Sequence, residues 1–533
     1  MSEAIASRAE TPRWAKVIDH ESCIGCHACS TACKSENEVP LSVNRTYVKY
    51  VDVGVFPQAR RAFQVTRCNQ CADPPCTHAC PTRAMHARPD GIVDFDKSIC
   101  IGCKACIAAC PYDAIFINPE DHSAEKCNLC AHRIDMNLEP ACVVVCPTEA
   151  IMVGDLNDTD SRVAQTVNRQ PVAVRRPEKE THPKLFYRGA HQTTLDPLAA
   201  RRPDGGLFMW SEQTQGPHHV VAGYPSLVGM AAGAASSADN GTQPSSGGHP
   251  VSNSSAAALV SYDVSHKTPW DWRVSLYTLT KGIAAGAYLA PLLLIVFGLL
   301  DAESPIWRWA APIVGGAFLG LTGLVLIADL EHPKRFYMIF TKAHWRSWLV
   351  KGAFIIGGYS VILALHFLCS VLDRPGRALL AAPGFPLAVM TAVYTAYLFA
   401  QAKARDLWQS PLLPPHLLVQ ALLAGSAALI PVAWFVDRTA VESLLIAVVV
   451  SALIHLAMVL GEVTLTHSTA HAHLATHEMV KGRYRNFFSV GIALTVMVLL
   501  SPWLGAALAP VALIGLLAFE HAYVQAGQSV PLA

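Results

Sequence analysis

The sequence has 533 residues, with 41 Lys and Arg against 40 Asp and Glu, for a net charge of +1. This balance excludes the basic surface of a nucleic-acid-binding protein, and the length exceeds what one hydrophobic core supports. Apolar residues make up 52% and charged residues 15% of the chain, which departs from soluble proteins in the direction of membrane proteins. The long apolar stretches begin after about residue 274. Residues 1–21 lack the apolar core of a signal peptide and a twin-arginine pair, so no export signal is predicted.

Sixteen of the 17 cysteines lie between Cys23 and Cys146, in four runs of four. Two runs have the spacing C-x2-C-x2-C-x3-C, a third has C-x2-C-x4-C-x3-C and a fourth has C-x2-C-x11-C-x3-C. In chain order the runs are Cys23, Cys26, Cys29, Cys33; Cys68, Cys71, Cys76, Cys80; Cys100, Cys103, Cys106, Cys110; and Cys127, Cys130, Cys142, Cys146. A proline follows the last cysteine of every run except the first. The spacing is typical of ferredoxin [4Fe–4S] sites, so four runs predict four clusters.

Two other uses of cysteine fit less well. Disulfides belong to oxidising compartments, and no export signal is predicted. Structural zinc is bound by pairs of C-x2-C knuckles and needs no 2-2-3 run ending in Cys-Pro. Iron–sulfur clusters are therefore favoured over both.

Cross-ligation between neighbouring runs predicts the ligands of two clusters, since the fourth cysteine of a ferredoxin run serves the other cluster. The second and third runs pair in this way. The predicted sets are Cys68, Cys71, Cys76 with Cys110, and Cys100, Cys103, Cys106 with Cys80. Gly25 and Gly102 lie inside their loops, where the backbone must approach a cluster closely. Ala84–Met85 and 114–117 are predicted as the short strands that close the ferredoxin halves.

The segments "CIGCHACSTACKSEN", "RCNQCADPPCTHACPTRAMHARPDGIVDFD", "CIGCKACIAACPYDA" and "KCNLCAHRIDMNLEPACVVVCPTEAI" resemble the four-cluster electron-transfer subunit of molybdopterin oxidoreductases of the dimethyl sulfoxide reductase type. The resemblance covers roughly residues 15–195. It implies an electron-carrying role, a molybdopterin (Mo/W) catalytic partner, and the pairing of the outer two runs. The implied sets are Cys23, Cys26, Cys29 with Cys146, and Cys127, Cys130, Cys142 with Cys33.

Several other polar residues lie close to the runs. His86 follows a Cys-Pro loop and is a candidate to border a cluster or a quinone, although a surface histidine is the commoner case. Arg67, Lys97 and Lys126 each precede a run by one to three residues, where a cation favours the reduced cluster. Solvated surface charge is the alternative for each.

The composition changes twice after the cysteines. Residues 171–210 are polar, with ordered-looking islands at "HPKLFYRGA" and "TTLDPLAARRPDGGLFMW". From Gly229 to Ser261 the sequence is rich in Ala, Gly, Ser, Asn and Pro, which predicts a flexible linker. Metal binding by His218, His219 and His249 in this part is possible in principle but not favoured. The sequence thus predicts a multidomain protein: an α+β double-ferredoxin-like domain (1–195), a connector (196–270) and an all-α membrane bundle (271–533).

Eight apolar segments approach or exceed the length of a membrane span. They are about 275–300, 311–330, 349–372, 386–402, 417–435, 441–465, 487–503 and 506–525. All must be helical in lipid. The fourth and the seventh are short.

Basic residues are unevenly distributed between the two sides of the bundle. Eleven lie on the N-terminal side: Lys267, Arg273, Lys334, Arg335, Lys342, Arg346, Lys403, Arg405, Lys481, Arg483 and Arg485. Four lie on the other: Arg308, Arg374, Arg377 and Arg438. The positive-inside rule then predicts an inner-membrane, multi-pass protein with a cytoplasmic N-terminus and iron–sulfur domain.

An even number of spans brings the start of the first helix and the ends of the second and sixth to this same face. A quinone or quinol is expected there, because ionisable groups at span ends are functional candidates. The candidate residues are Tyr277, Asp329, Glu331, His332, Glu462, His467 and His86. Solvated edge residues are the alternative, and Tyr277 also suits the aromatic belt.

The membrane segments resemble the NrfD/polysulfide-reductase type of quinone-interacting subunit. The matching segments, in the expected order, are "LYTLTKGIAAGAYL", "DLEHPKRFY", "RSWLVKGAFI", "SPLLPPHLLVQALLAG" and "KGRYRNFFSVGIAL". Members of this family carry no haem. A bis-histidine haem b between the mid-span His366 and His455 is the less favoured alternative.

These features predict a non-catalytic subunit of a respiratory molybdopterin oxidoreductase, which carries electrons through four [4Fe–4S] clusters to or from the quinone pool. The alternative is a subunit of an ion-translocating complex with a cytochrome or hydrogenase partner. No chain of acids across the bilayer is evident in the sequence, so redox without a dedicated pump is favoured.

Overall fold

The computed structural model of the protein describes residues 11–54, 57–201 and 258–533. The central part of the predicted linker and His218, His219 and His249 lie outside the described residues.

The iron–sulfur domain contains two sheets and two small hairpins. The strands are β1 Trp14–Asp19, β2 Thr46–Val53, β3 Arg60–Arg67, β4 Met85–Ala87, β5 Val93–Phe95, β6 Ile115–Ile117, β7 Ala124–Lys126, β8 Ile151–Asp155, β9 Val172–Ala173, β10 Leu185–Arg188 and β11 Ala258–Tyr262. One sheet has the order β8-β1-β10-β9, and the other is the antiparallel sheet β11-β2-β3. These sheets add regular structure beyond the predicted ferredoxin strands, and β1 and β2 are buried along most of their length.

The hairpins β4-β5 and β6-β7 are the predicted closures of the ferredoxin halves. Short helices follow the cysteine loops. They are α1 Ala28–Glu36, α2 Pro75–Ala79, α3 Ala105–Ala109, α4 Ala131–Ile134 and α5 Ala141–Val144. Two further helices, α6 Arg162–Arg169 and α7 Gln192–Leu195, precede the connector.

The membrane domain is entirely helical after residue 271. Its helices are α8 Trp272–Val296, α9 Ala311–Ala328, α10 Met338–Thr341, α11 Trp348–Val371, α12 Arg377–Ala400, α13 Leu413–Val436, α14 Ala440–Thr464, α15 Ala470–Val480, α16 Arg485–Val498, α17 Ser501–Leu504 and α18 Val511–Ser529. Seven apolar helical segments in the described chain are long enough to cross a membrane. A π-helical turn, Ile306–Ala310, extends α9, and a 3₁₀ turn, Ala506–Leu508, extends α18.

The seventh predicted segment is a shorter helix. α16 has 14 residues, about 21 Å at 1.5 Å per residue, which falls short of the hydrocarbon core. The start and the end of the bundle nevertheless lie on one side, because the Gln528 side chain accepts from the Trp270 N–H at 3.2 Å. Seven crossings alone would put these two ends on opposite sides of the membrane.

The fourth segment is longer than predicted. α12 begins at Arg377 and carries Pro383 and Pro386 inside it, whereas the sequence placed its start at residue 386. Proline removes one backbone donor but is tolerated in membrane helices, where neighbouring groups satisfy the freed carbonyl. The 24-residue helix is a full span.

Helices α8 and α13 cross closely at the centre of the bundle. A Cβ on Gly286 would meet the Ala421 carbonyl, and one on Gly425 would meet the Gly286 backbone. Small residues at the crossing let the two backbones touch, as in other membrane bundles. This crossing places polar side chains of α8 and α13 next to one another.

Both described ends of the connector are ordered. Ala200 and Val260 are buried, and Ala258–Tyr262 pairs with β2. The prediction of a flexible linker was therefore wrong for residues 258–261. After β11 the chain passes directly into α8, which fixes the iron–sulfur domain to the bundle.

Candidate electron-transfer path and quinone site

The 16 clustered cysteines converge in four groups. The first, called here the membrane-proximal group, consists of Cys80, Cys100, Cys103 and Cys106, which line one cavity. Burial raises the pKa of Cys106, and the neighbouring thiolates of Cys103, Cys80 and Cys100 raise it further. Thiolates that repel one another in this way lie close together, as ligands of one cluster must.

A second, central group consists of Cys68, Cys71, Cys76 and Cys110. Burial raises the pKa of Cys76, Lys126 opposes the rise, and the thiolates of Cys68, Cys110 and Cys71 add to it. All four cysteines belong to one buried cluster of side chains.

The other two groups are formed by the outer runs. The Arg67 group consists of Cys33, Cys127, Cys130 and Cys142. Burial raises the pKa of Cys33 to about 12, with further contributions from Cys127, Cys142 and Cys130. The structure brings together the same cysteines as the predicted sets, and their role as cluster ligands stays a prediction.

The distal group consists of Cys23, Cys26, Cys29 and Cys146, which line one cavity. Burial raises the pKa of Cys23, the Gly25 backbone opposes this, and Cys29, Cys146 and Cys26 add to the rise. Cys26 is exposed and Cys23 and Cys146 are half-buried, unlike the cysteines of the central and Arg67 groups.

The geometry of the groups fits clusters better than the alternatives. None of the 17 cysteines, all within the described residues, forms a disulfide. Backbone N–H groups of Met85 and Ala124 donate to the sulfurs of Cys80 (3.3 Å) and Cys100 (3.5 Å), as donors around a cluster do.

Left-handed backbone shapes the cysteine loops. Gly25 has φ 70° and Gly102 has φ 69°, and the residue two positions later is also left-handed in each loop: His27 at 59° and Lys104 at 61°. These turns wrap the backbone around the position between the sulfurs.

The four groups form a path in one order. Cys106 of the membrane-proximal group interacts with Cys76 of the central group. Lys126 faces both Cys76 and Cys127, and therefore lies between the central and Arg67 groups. Cys29 of the distal group interacts with Cys142 of the Arg67 group.

The cations near the runs have different surroundings. Arg67 and Lys126 are 1% and 0% exposed, so the surface alternative was wrong for both. Lys97 is a surface residue, with its side chain 41% exposed and paired to Asp121.

The membrane-proximal group lies against the membrane domain. The Trp270 indole N–H donates to the Cys103 carbonyl oxygen at 3.5 Å. The N–H groups of Glu331 and His332 donate to the carbonyl oxygens of Gly102 and Ile101 at 3.4 and 3.2 Å. The loop 101–104 is thus held by the start of α8 and the end of α9.

Two predicted quinone residues meet at this contact. Lys104 lies 3.6 Å from the Asp329 carboxylate and 3.0 Å from that of Glu331. Burial raises the pKa of Asp329 to about 6, and the Lys104 ammonium opposes this rise. Tyr277 is buried and close enough to Asp329 to interact electrostatically with it. A carboxyl whose pKa is raised to about 6 can take up and release a proton near neutral pH.

The other candidates lie elsewhere. Glu462 is buried near Tyr523 and makes no hydrogen bond or ion pair with Asp329 in the described chain. His86 lies on β4 and bonds the Ala84 carbonyl oxygen at 3.3 Å. His467 bonds Thr476 at 2.9 Å. His332 joins the contact through its backbone, and its ring lies 6.5 Å from that of His122.

Sequence reasoning missed a polar cluster deeper in the bundle. The Lys281 ammonium is 1% exposed and donates to the Ala392 carbonyl oxygen (2.8 Å) and the Thr395 hydroxyl (2.7 Å). Glu520 and Gln420 line the same cavity as Lys281. The signal available in the sequence was a lone charged residue inside an apolar segment: Lys281 in the first predicted segment and Glu520 in the last.

Two buried histidines continue this cluster. His416 Nε2 lies 2.8 Å from His455 Nδ1 and 3.4 Å from the Gln420 amide. The haem alternative required His455 to face His366. His366 instead packs against Trp307, with ring centroids 4.6 Å apart.

Comparisons with known proteins agree with this two-part architecture. Residues 59–156 match the 4Fe-4S dicluster domain, and residues 261–524 match the family described as polysulphide reductase, NrfD. The chain is an iron–sulfur subunit fused to an NrfD-type membrane subunit.

Relatives of the iron–sulfur part of this fusion are reductase subunits. One subunit of the tetrathionate reductase of Salmonella typhimurium is 39% identical over 38% of this chain and 80% of its own length. One component of the polysulfide reductase of Wolinella succinogenes is 40% identical over 33% of this chain and 93% of its own length. The arsenate respiratory reductase iron–sulfur subunit ArrB of a Shewanella species is 33% identical over 33% of this chain and 95% of its own length.

Proposed function

We propose that the fusion carries electrons between a catalytic oxidoreductase subunit and the quinone pool, through four [4Fe–4S] clusters held by the four cysteine groups. Each cluster, when bound, supplies one-electron transfer. The proposal rests on one observation: Trp270 and Glu331 of the membrane domain donate hydrogen bonds to the cysteine loop 101–104 of the membrane-proximal group. An electron leaving this group enters the membrane domain beside Asp329 and Tyr277.

At that end of the path, Asp329 exchanges protons with the quinone and Tyr277 donates to a quinone carbonyl. The pKa of Asp329, raised by burial to about 6, lets the carboxyl give and take a proton near neutral pH. Glu331 and Lys104 hold the loop in place through their ion pair. Glu462, His332 and His86 are not needed for this role.

At the other end, the distal group exchanges electrons with the catalytic partner. Cys26 is exposed, and the neighbouring Ile24 and Val144 are 57% and 59% exposed, so the group is accessible to another protein. Relatives are named as subunits of tetrathionate, polysulfide and arsenate reductases. A molybdopterin subunit is the partner that the resemblance implies.

The proposed orientation places the iron–sulfur domain in the cytoplasm and the bundle in the inner membrane. Eleven basic loop residues lie on the side of the iron–sulfur domain, against four on the other. Protease accessibility of residues 11–201 in oriented membrane vesicles tests this. Cleavage only in inside-out vesicles is expected, and cleavage only in right-side-out vesicles would contradict the assignment.

Iron analysis and EPR of the purified protein test the cluster assignment. The wild type is expected to hold four clusters, and Cys106→Ser is expected to lose or alter the one in the membrane-proximal group. Cys369→Ser is the matched control, because Cys369 is the cysteine outside the four runs. A full, unaltered set of four signals in Cys106→Ser would contradict the assigned ligand.

Proton movement across the bundle is the second candidate function. It is favoured by the buried Lys281, Glu520 and the His416–His455 pair, since ionisable groups inside a bundle mark ion pathways. Lys281 lies nine residues into α8, roughly 14 Å from its start. Quinone-linked electron transfer in proteoliposomes should then move protons in the wild type and fewer in Glu520→Gln. Equal proton uptake in the two proteins would remove this candidate.

A further inference from the structure

Arg67 is a buried cation whose hydrogen-bond partner is a cysteine sulfur. It ends β3 and is 1% exposed. Its Nη1 donates to Cys142 Sγ at 3.0 Å, while Nε and Nη2 have no partner in the described chain. Its charge faces Cys142, Cys29 and Cys127, so it points at the Arg67 group and at one sulfur of the distal group.

A second buried cation approaches the same group from another strand. Lys16 of β1 is 2% exposed, and its ammonium lies 3.7 Å from Cys127 Sγ. Its charge faces Cys127, Cys142 and Cys130. β1 and β3 belong to different sheets, so the two cations converge on these sulfurs independently.

Within the described residues, neither cation forms an ion pair with a carboxylate. The buried acid Glu125 is paired with Arg45 at 3.0 Å and with Lys97. Burying an unpaired charge is costly unless an anion lies beside it. The four thiolates around a cluster supply that negative charge. A buried guanidinium without a carboxylate partner therefore fits a cluster held by this group.

The other groups lack such a contact. Lys104, beside the membrane-proximal group, pairs with Asp329 and Glu331. Lys126, between the central and Arg67 groups, donates to the carbonyl oxygens of Val93 and Cys127. Among the described residues, the ammonium and guanidinium groups within hydrogen-bond distance of a cysteine sulfur are those of Arg67 and Lys16.

We infer that Arg67 and Lys16 set the reduction potential of the cluster in the Arg67 group above the potentials of the other three, so that an electron on the path rests there. The inference depends on the proposed cluster function. A reduced cluster carries one more negative charge than the oxidised one, and a nearby cation or donor to sulfur stabilises it. The electron comes from a neighbouring cluster, which is oxidised as this one is reduced.

An anaerobic redox titration of the purified full-length protein, followed by EPR, tests the inference. In Arg67→Met, the equilibrium constant for reducing one cluster should fall at least tenfold. This corresponds to a reduction potential lowered by at least 59 mV for a one-electron couple. Lys16→Met should shift the same cluster in the same direction, and Arg67→Lys should shift it less than Arg67→Met.

The matched control is Lys97→Met, since Lys97 also precedes a cysteine run but is paired with the carboxylates of Asp121 and Glu125 rather than with a sulfur. Its cluster potentials should equal those of the wild type. Unchanged potentials in Arg67→Met, or an equal shift in the control, would overturn the inference. If Arg67→Met loses the cluster altogether, Lys16→Met tests the inference instead. A lowered potential in Lys16→Met supports the inference, and an unchanged potential overturns it. Failure of the proposed function would be distinct: the wild type itself would lack four clusters by iron analysis.

Discussion

The ammonium group of Lys104 lies 3.0 Å from the Glu331 carboxylate, across the contact between the iron–sulfur domain and the membrane bundle. The Lys104 side chain is 12% exposed and that of Glu331 is 29% exposed. Beside them, backbone N–H groups of the α9 end donate to the cysteine loop. The contact therefore holds one cysteine group at a fixed place over the bundle.

Removing the cation should loosen this contact. For Lys104→Met we expect the Glu331 and His332 amides to exchange hydrogen about fivefold faster, corresponding to about 1 kcal/mol. Hydrogen–deuterium exchange with mass spectrometry measures this. Lys334→Met is the control, because Lys334 is exposed in the same loop. Equal protection in Lys104→Met and wild type would show that the pair does not hold the loop.

Gly102 has a stricter role in the same loop. Its φ is 69°, and a Cβ there would lie 3.0 Å from Glu331 Cγ, with Glu331 Cβ closer still. Gly102→Ala should cost at least about 1–2 kcal/mol from backbone strain, and more from the clash. A lowered thermal unfolding temperature is expected. Gly316→Ala should not lower it, since nothing lies within 4 Å of its added Cβ.

Asp329 should control the proton step at the quinone. Asp329→Asn removes a carboxyl that titrates near pH 6 and should slow quinone-linked turnover by about 100-fold. The variant should also lose the dependence of turnover on pH around 6. Asp301→Asn, at the exposed opposite end of the bundle, is the control. A wild-type pH profile in Asp329→Asn would assign the proton step to another group.

His266 links the connector to the iron–sulfur domain in a pH-dependent way. It bridges Asp113 (2.5 Å) and Asp263 (3.2 Å), and these carboxylates raise its pKa to about 9 against the opposing effect of burial. The protonated ring therefore stabilises the fold fully below pH 6.5, and this contribution is lost as the pH rises through 9.

His266→Gln should lower stability by at most about 3 kcal/mol at pH 6 and by little at pH 10. Thermal unfolding of both proteins across this pH range measures the difference. A difference that stays constant with pH would mean that the bridge is not ionic.

The cysteine groups were predictable because local spacing fixes each loop. Three cysteines within seven residues, with a glycine such as Gly102 between them, leave few ways to gather the sulfurs. The fold around them was less predictable. β1 pairs with β10, which lies about 170 residues away along the chain, and nothing local encodes that partner.

The membrane site was predicted in part. The start of α8 and the end of α9 lie at the same face, as the predicted even number of spans required, and Tyr277 and Asp329 interact electrostatically. Glu462 ends on the same face, but the packing of α14 places it beside Tyr523. Arg67 shows the same limit, since its sequence position fits a surface charge as well as a buried one. Burial depends on tertiary packing that the spacing of charges does not record.

The central claim is that electrons pass between the clusters and quinone through the membrane-proximal group. Stopped-flow reoxidation of the chemically reduced protein with a quinone analogue tests it most directly. The wild type and Cys369→Ser should reoxidise all their clusters quickly. In Cys106→Ser the clusters of the central, Arg67 and distal groups should stay reduced at least tenfold longer. Reoxidation of these clusters at the wild-type rate would contradict the account.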